Sequence, residues 1–182
     1  MKKILTLSMI LLLTFVFSAC EIFSGAGASK TIKWQTIEKV IGKKNKKKKV
    51  FIEVYTNWCG WCKRMEKSTF NDPAIARYIN THFYSVKFDA ESRKAIDFQG
   101  KTFNYSTAGR RGRHELATVF MQDNEKVGYP TLVFMDEELE IIQAVPGYRS
   151  REEFEIIVTY FAEEHYKNTP WSEYEANYKL TL

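Results

Sequence analysis

Val50-Phe51-Ile52-Glu53-Val54-Tyr55 runs directly into Thr56-Asn57-Trp58-Cys59-Gly60-Trp61-Cys62-Lys63-Arg64-Met65, and this stretch decides the fold. Its first part is β-branched and aromatic, of the length of a buried strand, and only Glu53 interrupts it. In its second part the chain turns into a helix that opens on a Cys-x-x-Cys spacing. Residues three apart share a helix face, so Cys59 and Cys62 reach disulfide distance when the motif opens the helix. The first sulfur then meets unpaired backbone N–H groups and the positive end of the helix dipole, which favours the thiolate, the attacking species. The spacing alone is ambiguous, because it also serves half of a zinc site. Zinc needs about four ligands, and His82, His114 and His165 form no ligand couplet. Haem attachment fails at Lys63, which stands where Cys-x-x-Cys-His requires histidine. No metal or organic cofactor is expected.

Outward from this stretch, strands and helices alternate. Upstream, residues 31–34 alternate as a short strand and Thr36 caps a helix reaching Ile41. The lysine run over 43–49 reads as a solvated loop before the buried strand and is given no chemistry. Downstream, Asp72-Pro73 is a cap followed by a first-turn proline, opening a helix through Ile75 and Ile79. Residues 83–89 read as a strand, and 131–135 with 141–145 as a hairpin across the acidic turn Asp136-Glu137-Glu138. Ser150 and Glu153 have capping-box spacing, ahead of Phe154, Ile157, Tyr160 and Phe161 at helical intervals. Thr169-Pro170 looks like another cap-and-proline start, with Trp171, Tyr174 and Tyr178 packing an added terminal helix on the core.

Composition narrows the class. Of 182 residues 45% are hydrophobic and 27% charged, which is ordinary for one globular domain. With 9 Gly and 3 Cys the chain is neither collagen-like nor a disulfide-dense miniprotein. The formal charge of +5 is small and unevenly placed, so no nucleic-acid partner is expected. Lys2 and Lys3 precede an apolar run over 4–17, the pattern of a secretory signal and too short for a comfortable membrane span. Phe17-Ser18-Ala19-Cys20 resembles the lipobox of bacterial lipoproteins, although Phe17 replaces the usual Leu. The expectation is cleavage before Cys20 and lipid on its sulfur; plain secretion and an uncleaved anchor are the competing readings. Lipid on Cys20 also accounts for the odd cysteine. Residues 21–30, rich in Gly, Ala and Ser, read as a flexible tether. The expected organisation is a signal peptide over 1–19, a tether over 20–30 and one domain over 31–182.

The strand before the motif, Trp58 ahead of the first cysteine, the Cys-Gly-x-Cys core and Gly128-Tyr129-Pro130-Thr131 before a strand together resemble the thioredoxin superfamily, over about residues 31–166. The pattern that continues into Ser68-Thr69-Phe70-Asn71-Asp72-Pro73 is similar to that of exported thioredoxin-related bacterial lipoproteins. The resemblance implies an α/β fold with a mixed central sheet flanked by helices. It implies Cys59 as nucleophile, Cys62 as resolving partner, Glu53 as a buried acid behind the disulfide and Pro130 as a cis-proline beside it. Trp58, Trp61, Tyr129 and Pro130 would face the substrate. The implied activity is thiol–disulfide exchange on protein disulfides in the cell envelope, more as reductant than oxidant, with a separate redox partner protein and a membrane held through the lipid. A binding or chaperone module with a structural disulfide and a soft-metal carrier are the alternatives. Three departures stand out. Trp61 replaces the proline of ordinary thioredoxin. Ser85 aligns where a lysine lies near the buried acid. An insertion follows Asp89, with a strand-like segment over 100–105, an arginine-rich loop over 109–113 and a helix over 114–121, in which His114 reads as a helix-start or surface residue.

Overall fold

The structure, a computed structural model, describes residues 29–43, 48–108, 112–122 and 128–182. The expected signal peptide, Cys20, nearly all of the tether, the middle of the lysine run and Arg110 and Arg111 lie outside the described residues.

The decisive stretch folds as read. Lys49–Tyr55 is β2, and Gly60–Met65 is α2, continued by a π-helical segment at Glu66–Phe70. Around β2 the sheet takes in β1 (Trp34–Gln35), β3 (Phe83–Asp89), β8 (Thr131–Met135) and β9 (Ile141–Pro146), in the order β1-β3-β2-β8-β9. β2 runs parallel to β3 and antiparallel to β8. Packed side chains bury both faces of β2, which is why its sequence is almost continuously apolar.

The two-residue period of β2 divides the core. Val50, Ile52 and Val54 join Val86, Phe88 and Val133 on one face, under Ile37 and Val40 of α1 (Ile37–Ile41). Phe51 points to the other face, with Leu132 and Phe134, beneath Met65 of α2, α3 (Pro73–His82) and α5 (Arg151–Ala162). Its ring lies 5.5 Å from Phe154 and 5.9 Å from Phe70, so a single side chain ties the sheet to two of the covering elements. Glu53 follows Phe51 by one period and therefore faces the α2 side. Local caps fix the helix starts: Asp72 accepts from Ala74 and Ile75 N–H, and Ser150 and Glu153 form the expected reciprocal box.

The insertion between β3 and β8 holds β4 (Ile96–Phe98), β5 (Lys101–Phe103), β6 (Tyr105–Ser106), β7 (Arg113–His114) and α4 (Glu115–Phe120). Phe98, Phe103, Leu116 and Phe120 sink into the same core face as Phe88, so the insertion is packed onto the domain. The His114 N–H donates to Ala90 O at 2.8 Å, tying the insertion to the residue just after β3.

Several expectations need correction. The first strand is Trp34–Gln35, not 31–34, because Thr31 and Lys33 give their backbone groups to the Asn80 side chain instead of to a ladder. Lys49 belongs to β2 and is buried, its ammonium paired with Glu164 at 2.7 Å and Glu137 at 3.3 Å. His114 does start α4, accepting the Leu116 N–H on Nδ1, but it is wholly buried against Phe88 and not at the surface. Pro170 sits one position before α6 (Trp171–Asn177), and Thr169 does not cap it; the Thr169 carbonyl accepts from the Tyr160 hydroxyl. The terminal helix packs as expected, with the Trp171 and Tyr174 rings at 5.2 and 5.0 Å from Tyr160.

Candidate active site

The site forms where β2 gives way to α2. The Cys59 N–H bonds back to Thr56 O at 3.1 Å, and Cys59 takes an extended conformation that makes it the N-cap of α2. Its Sγ then stands in front of the first turn and accepts the Cys62 N–H at 3.0 Å. A backbone donor aimed at this sulfur lowers the cost of negative charge on it. Cys59 and Cys62 are bonded as a disulfide, their Cα atoms 5.4 Å apart.

Both cysteines are only 4% exposed, but they are not equivalent. Cys59 lines a surface cleft of about 320 Å³, bounded by Trp58, Trp61, Glu91, Arg113 and Tyr129, and Cys62 does not line it. Of the two cysteines, Cys59 is the one that opens on this cleft. Trp58 and Trp61 are 52% and 54% exposed, two of the few large apolar side chains among the described residues left open to water. Each is held by a tyrosine. Trp58 meets Tyr129 edge-on at 5.9 Å and donates its indole N–H to Glu91 Oε1 at 2.9 Å. Trp61 lies 5.4 Å from Tyr148, and the Arg64 guanidinium sits 5.3 Å from both of those rings. The Tyr129–Pro130 bond is cis and Pro130 is buried, its carbonyl accepting from the Gly147 N–H at 2.7 Å.

Behind the pair, Glu53 is fully buried and neither carboxylate oxygen has a hydrogen-bond partner among the described residues. Loss of water pushes its pKa up from 4.5 to about 7; the positive charge of Lys87 opposes this rise and the negative charge of Glu66 adds to it. Lys87 Nζ is 3.9 Å from Glu53 Oε2 and 2.9 Å from Glu66 Oε2. This corrects the expectation that Ser85 takes the place of a lysine. The parallel register pairs Phe51 with Ser85 and Glu53 with Lys87, so the lysine is present two positions later.

The expected residues are thus brought to one end of the sheet, with Cys20 alone outside the description. Sequence reasoning missed Tyr148, Glu91 and Lys87 with Glu66, and gave the arginine loop no place at the cleft, where Arg113 stands. Only Lys87 left a usable signal, since it shares a strand face with Ser85 at period two. Among the described residues no cluster of three His, Cys, Asp or Glu could hold a metal ion, and no helix is long and apolar enough to cross a membrane.

Residues 35–162 match the family model of the thioredoxin-like domain, and the chain belongs to that family. It is 29% identical over 106 residues to the uncharacterized protein B0495.5 of Caenorhabditis elegans, a match covering 50% of this chain and 14% of that protein. It is 35% identical over 65 residues to human spermatogenesis-associated protein 20, covering 36% and 8%. It is 28% identical over 95 residues to the thiol:disulfide interchange protein DsbD of Vibrio vulnificus, covering 52% and 12%. The chain thus spans a small part of the length of these relatives. In fold it is similar to a thioredoxin-fold protein from Helicobacter pylori, with a TM-score of 0.55 at 19% identity, covering 83% of this chain and 89% of that one. It is also similar to the DsbH oxidoreductase, with a TM-score of 0.51 at 14% identity, covering 75% and 88%.

Proposed function

We propose that this protein is a thiol–disulfide oxidoreductase that reduces protein disulfides in the cell envelope. The observation that carries the reading is the Cys59–Cys62 bond at the start of α2, with Cys59 opening on a cleft and Cys62 behind it. Local similarity to a protein named for thiol:disulfide interchange supports it. In the reduced form the Cys59 thiolate attacks one sulfur of a client disulfide. The other client sulfur leaves as thiolate and takes a proton from water. Cys62 gives its proton to Glu53 and attacks Cys59 Sγ, and the second client sulfur leaves. Two electrons pass from the pair to the client, and the Cys59–Cys62 disulfide remains. A dithiol protein partner restores the pair by the same exchange. Trp58, Trp61 and Tyr129 form the surface that the client meets, while Pro130, expected to face the substrate too, is buried and shapes the loop behind Tyr129. Cys20 carries the lipid that holds the domain on the outer side of a membrane, the periplasmic side in a two-membrane cell, with residues 21–30 as tether.

The test is trapping. Cys62→Ser in the full chain should accumulate mixed disulfides with envelope proteins, and Cys59→Ser should not. The wild type should reduce a test protein disulfide and show a low reduction potential. A Cys62→Ser protein that captures nothing, beside a wild type inert toward test disulfides, would leave a binding module with a structural bond. A high potential would reverse the direction of electron flow.

A further inference from the structure

The outward face of α2 and its π-helical continuation is a row of cations. Gly60, Lys63, Arg64, Lys67 and Ser68 fall on one helix side and together line an open groove of about 450 Å³ that begins next to Cys59. The opposite side carries Cys62, Met65, Thr69 and Phe70 into the core, so this row has no internal partner to serve. Lys63, Arg64 and Lys67 are all exposed, and none forms an ion pair among the described residues. The nearby acids are already engaged: Glu66 with Lys87, Glu91 with the Trp58 indole, and Glu153 with the Ser150 backbone.

Arg64 differs from an ordinary solvated arginine. Its guanidinium lies 5.3 Å from the Trp61 ring and 5.3 Å from the Tyr148 ring, and the Tyr148 hydroxyl is 3.1 Å from Ser68 Oγ. A guanidinium stacked on rings keeps its N–H edge free and already oriented, which suits a carboxylate held in two parallel hydrogen bonds. Arg64 forms no side-chain hydrogen bond to any described residue.

We propose that this face is the docking surface for an acidic, extended segment flanking the client's disulfide, with Arg64 gripping a carboxylate while Lys63 and Lys67 add attraction along the row. The inference rests on the exchange reading and specifies which protein disulfides the site selects. Because the groove starts at Gly60, a segment lying in it delivers its own cysteine sulfur to Cys59. The cations act chiefly on the encounter, so the selectivity is salt-sensitive.

The experiment uses the full chain, reduced, with disulfide-bridged peptides that are identical except that the residues flanking one cysteine are Glu, Gln or Lys. Exchange rates are expected in the order Glu, Gln, Lys, with the Glu peptide roughly tenfold faster than the Lys peptide at low salt. At about 0.5 M salt the three rates should converge, a result that needs no variant. Arg64→Gln and Lys63→Gln/Lys67→Gln should each narrow the Glu-to-Lys ratio, and Arg64→Lys should fall between wild type and Arg64→Gln. Equal rates for the three peptides, or a ratio that salt leaves untouched, overturn the docking surface while leaving the exchange reading intact. No reaction with any peptide overturns both.

Discussion

Lys87 Nζ lies 2.9 Å from the Glu66 carboxylate and 3.9 Å from that of Glu53, although Glu53 is its register partner across β2 and β3. The ammonium is thus drawn toward the half-exposed acid and away from the buried one. Burial raises the Glu53 pKa and the shared Lys87 only partly offsets it, and a carboxylate that titrates near neutrality is suited to take a proton from Cys62.

Glu53→Gln should slow closure of the Cys59–Cys62 bond from a mixed disulfide by roughly ten- to hundredfold, the scale of a lost proton acceptor. It should also change stability with a definite sign. The folded pKa is about 7 and the ordinary value 4.5, so between those limits the unfolded chain is ionised while the folded chain keeps its proton. Unfolding then releases a proton, and wild-type stability falls as pH rises through this window, by roughly 3 kcal/mol in all. Denaturant melts should show Glu53→Gln close to wild type at pH 4 and more stable at pH 8. A variant less stable than wild type at pH 8 would reject the assignment.

Glu66→Gln should release Lys87 toward Glu53 and remove a nearby negative charge, and both changes lower the Glu53 pKa. The midpoint of the pH profile for the resolving step should move down, and with Lys87→Met it should move up. In a Glu53→Gln background neither substitution should shift the midpoint. A general loss of packing would not reproduce this pattern.

Phe154→Ala should cost about 3 to 5 kcal/mol. The ring is fully buried and contacts Phe51 at 5.5 Å and Phe70 at 5.4 Å, joining α5 and the π-helical segment to the sheet. Chemical denaturation of the oxidised protein measures it.

Ser150→Ala removes one half of the capping box, with the Glu153 N–H left without its 3.2 Å acceptor. The expected loss is about 1 kcal/mol, read as a lower melting temperature with the active-site disulfide still formed. No change in melting temperature would mean that water replaces the hydroxyl at no cost.

The signals that proved readable were local ones. The apolar run of β2, the cap-and-proline at Asp72-Pro73 and the Ser150–Glu153 box all specify backbone within a few residues, and the structure follows them. The cysteine pair is equally local, and Glu53 stands out because one acid breaks an apolar run. What stayed hidden depends on distant parts of the chain. Lys87 faces Glu53 through strand register, Tyr148 reaches Trp61 from the loop after β9, and Glu91 and Arg113 enter the cleft from the insertion. The misplaced start of β1 has the same origin, since Asn80 of α3 competes for backbone groups that alternation alone would have given to a strand. The Thr169-Pro170 reading failed for a different reason: a proline marks the neighbourhood of a helix start without fixing which side of the cap it occupies.

The central position of β2 has a consequence for birth order. Its flanking strands, β3 and β8, both come later in the chain, and β8 belongs to the second half. A polypeptide emerging from its amino end presents Cys59 and Cys62 long before Tyr129 and Pro130 exist to wall them in. The last wall of the cleft is therefore the last part of the site to be made, and the cysteine pair gains its enclosure only once the later half of the sheet has docked.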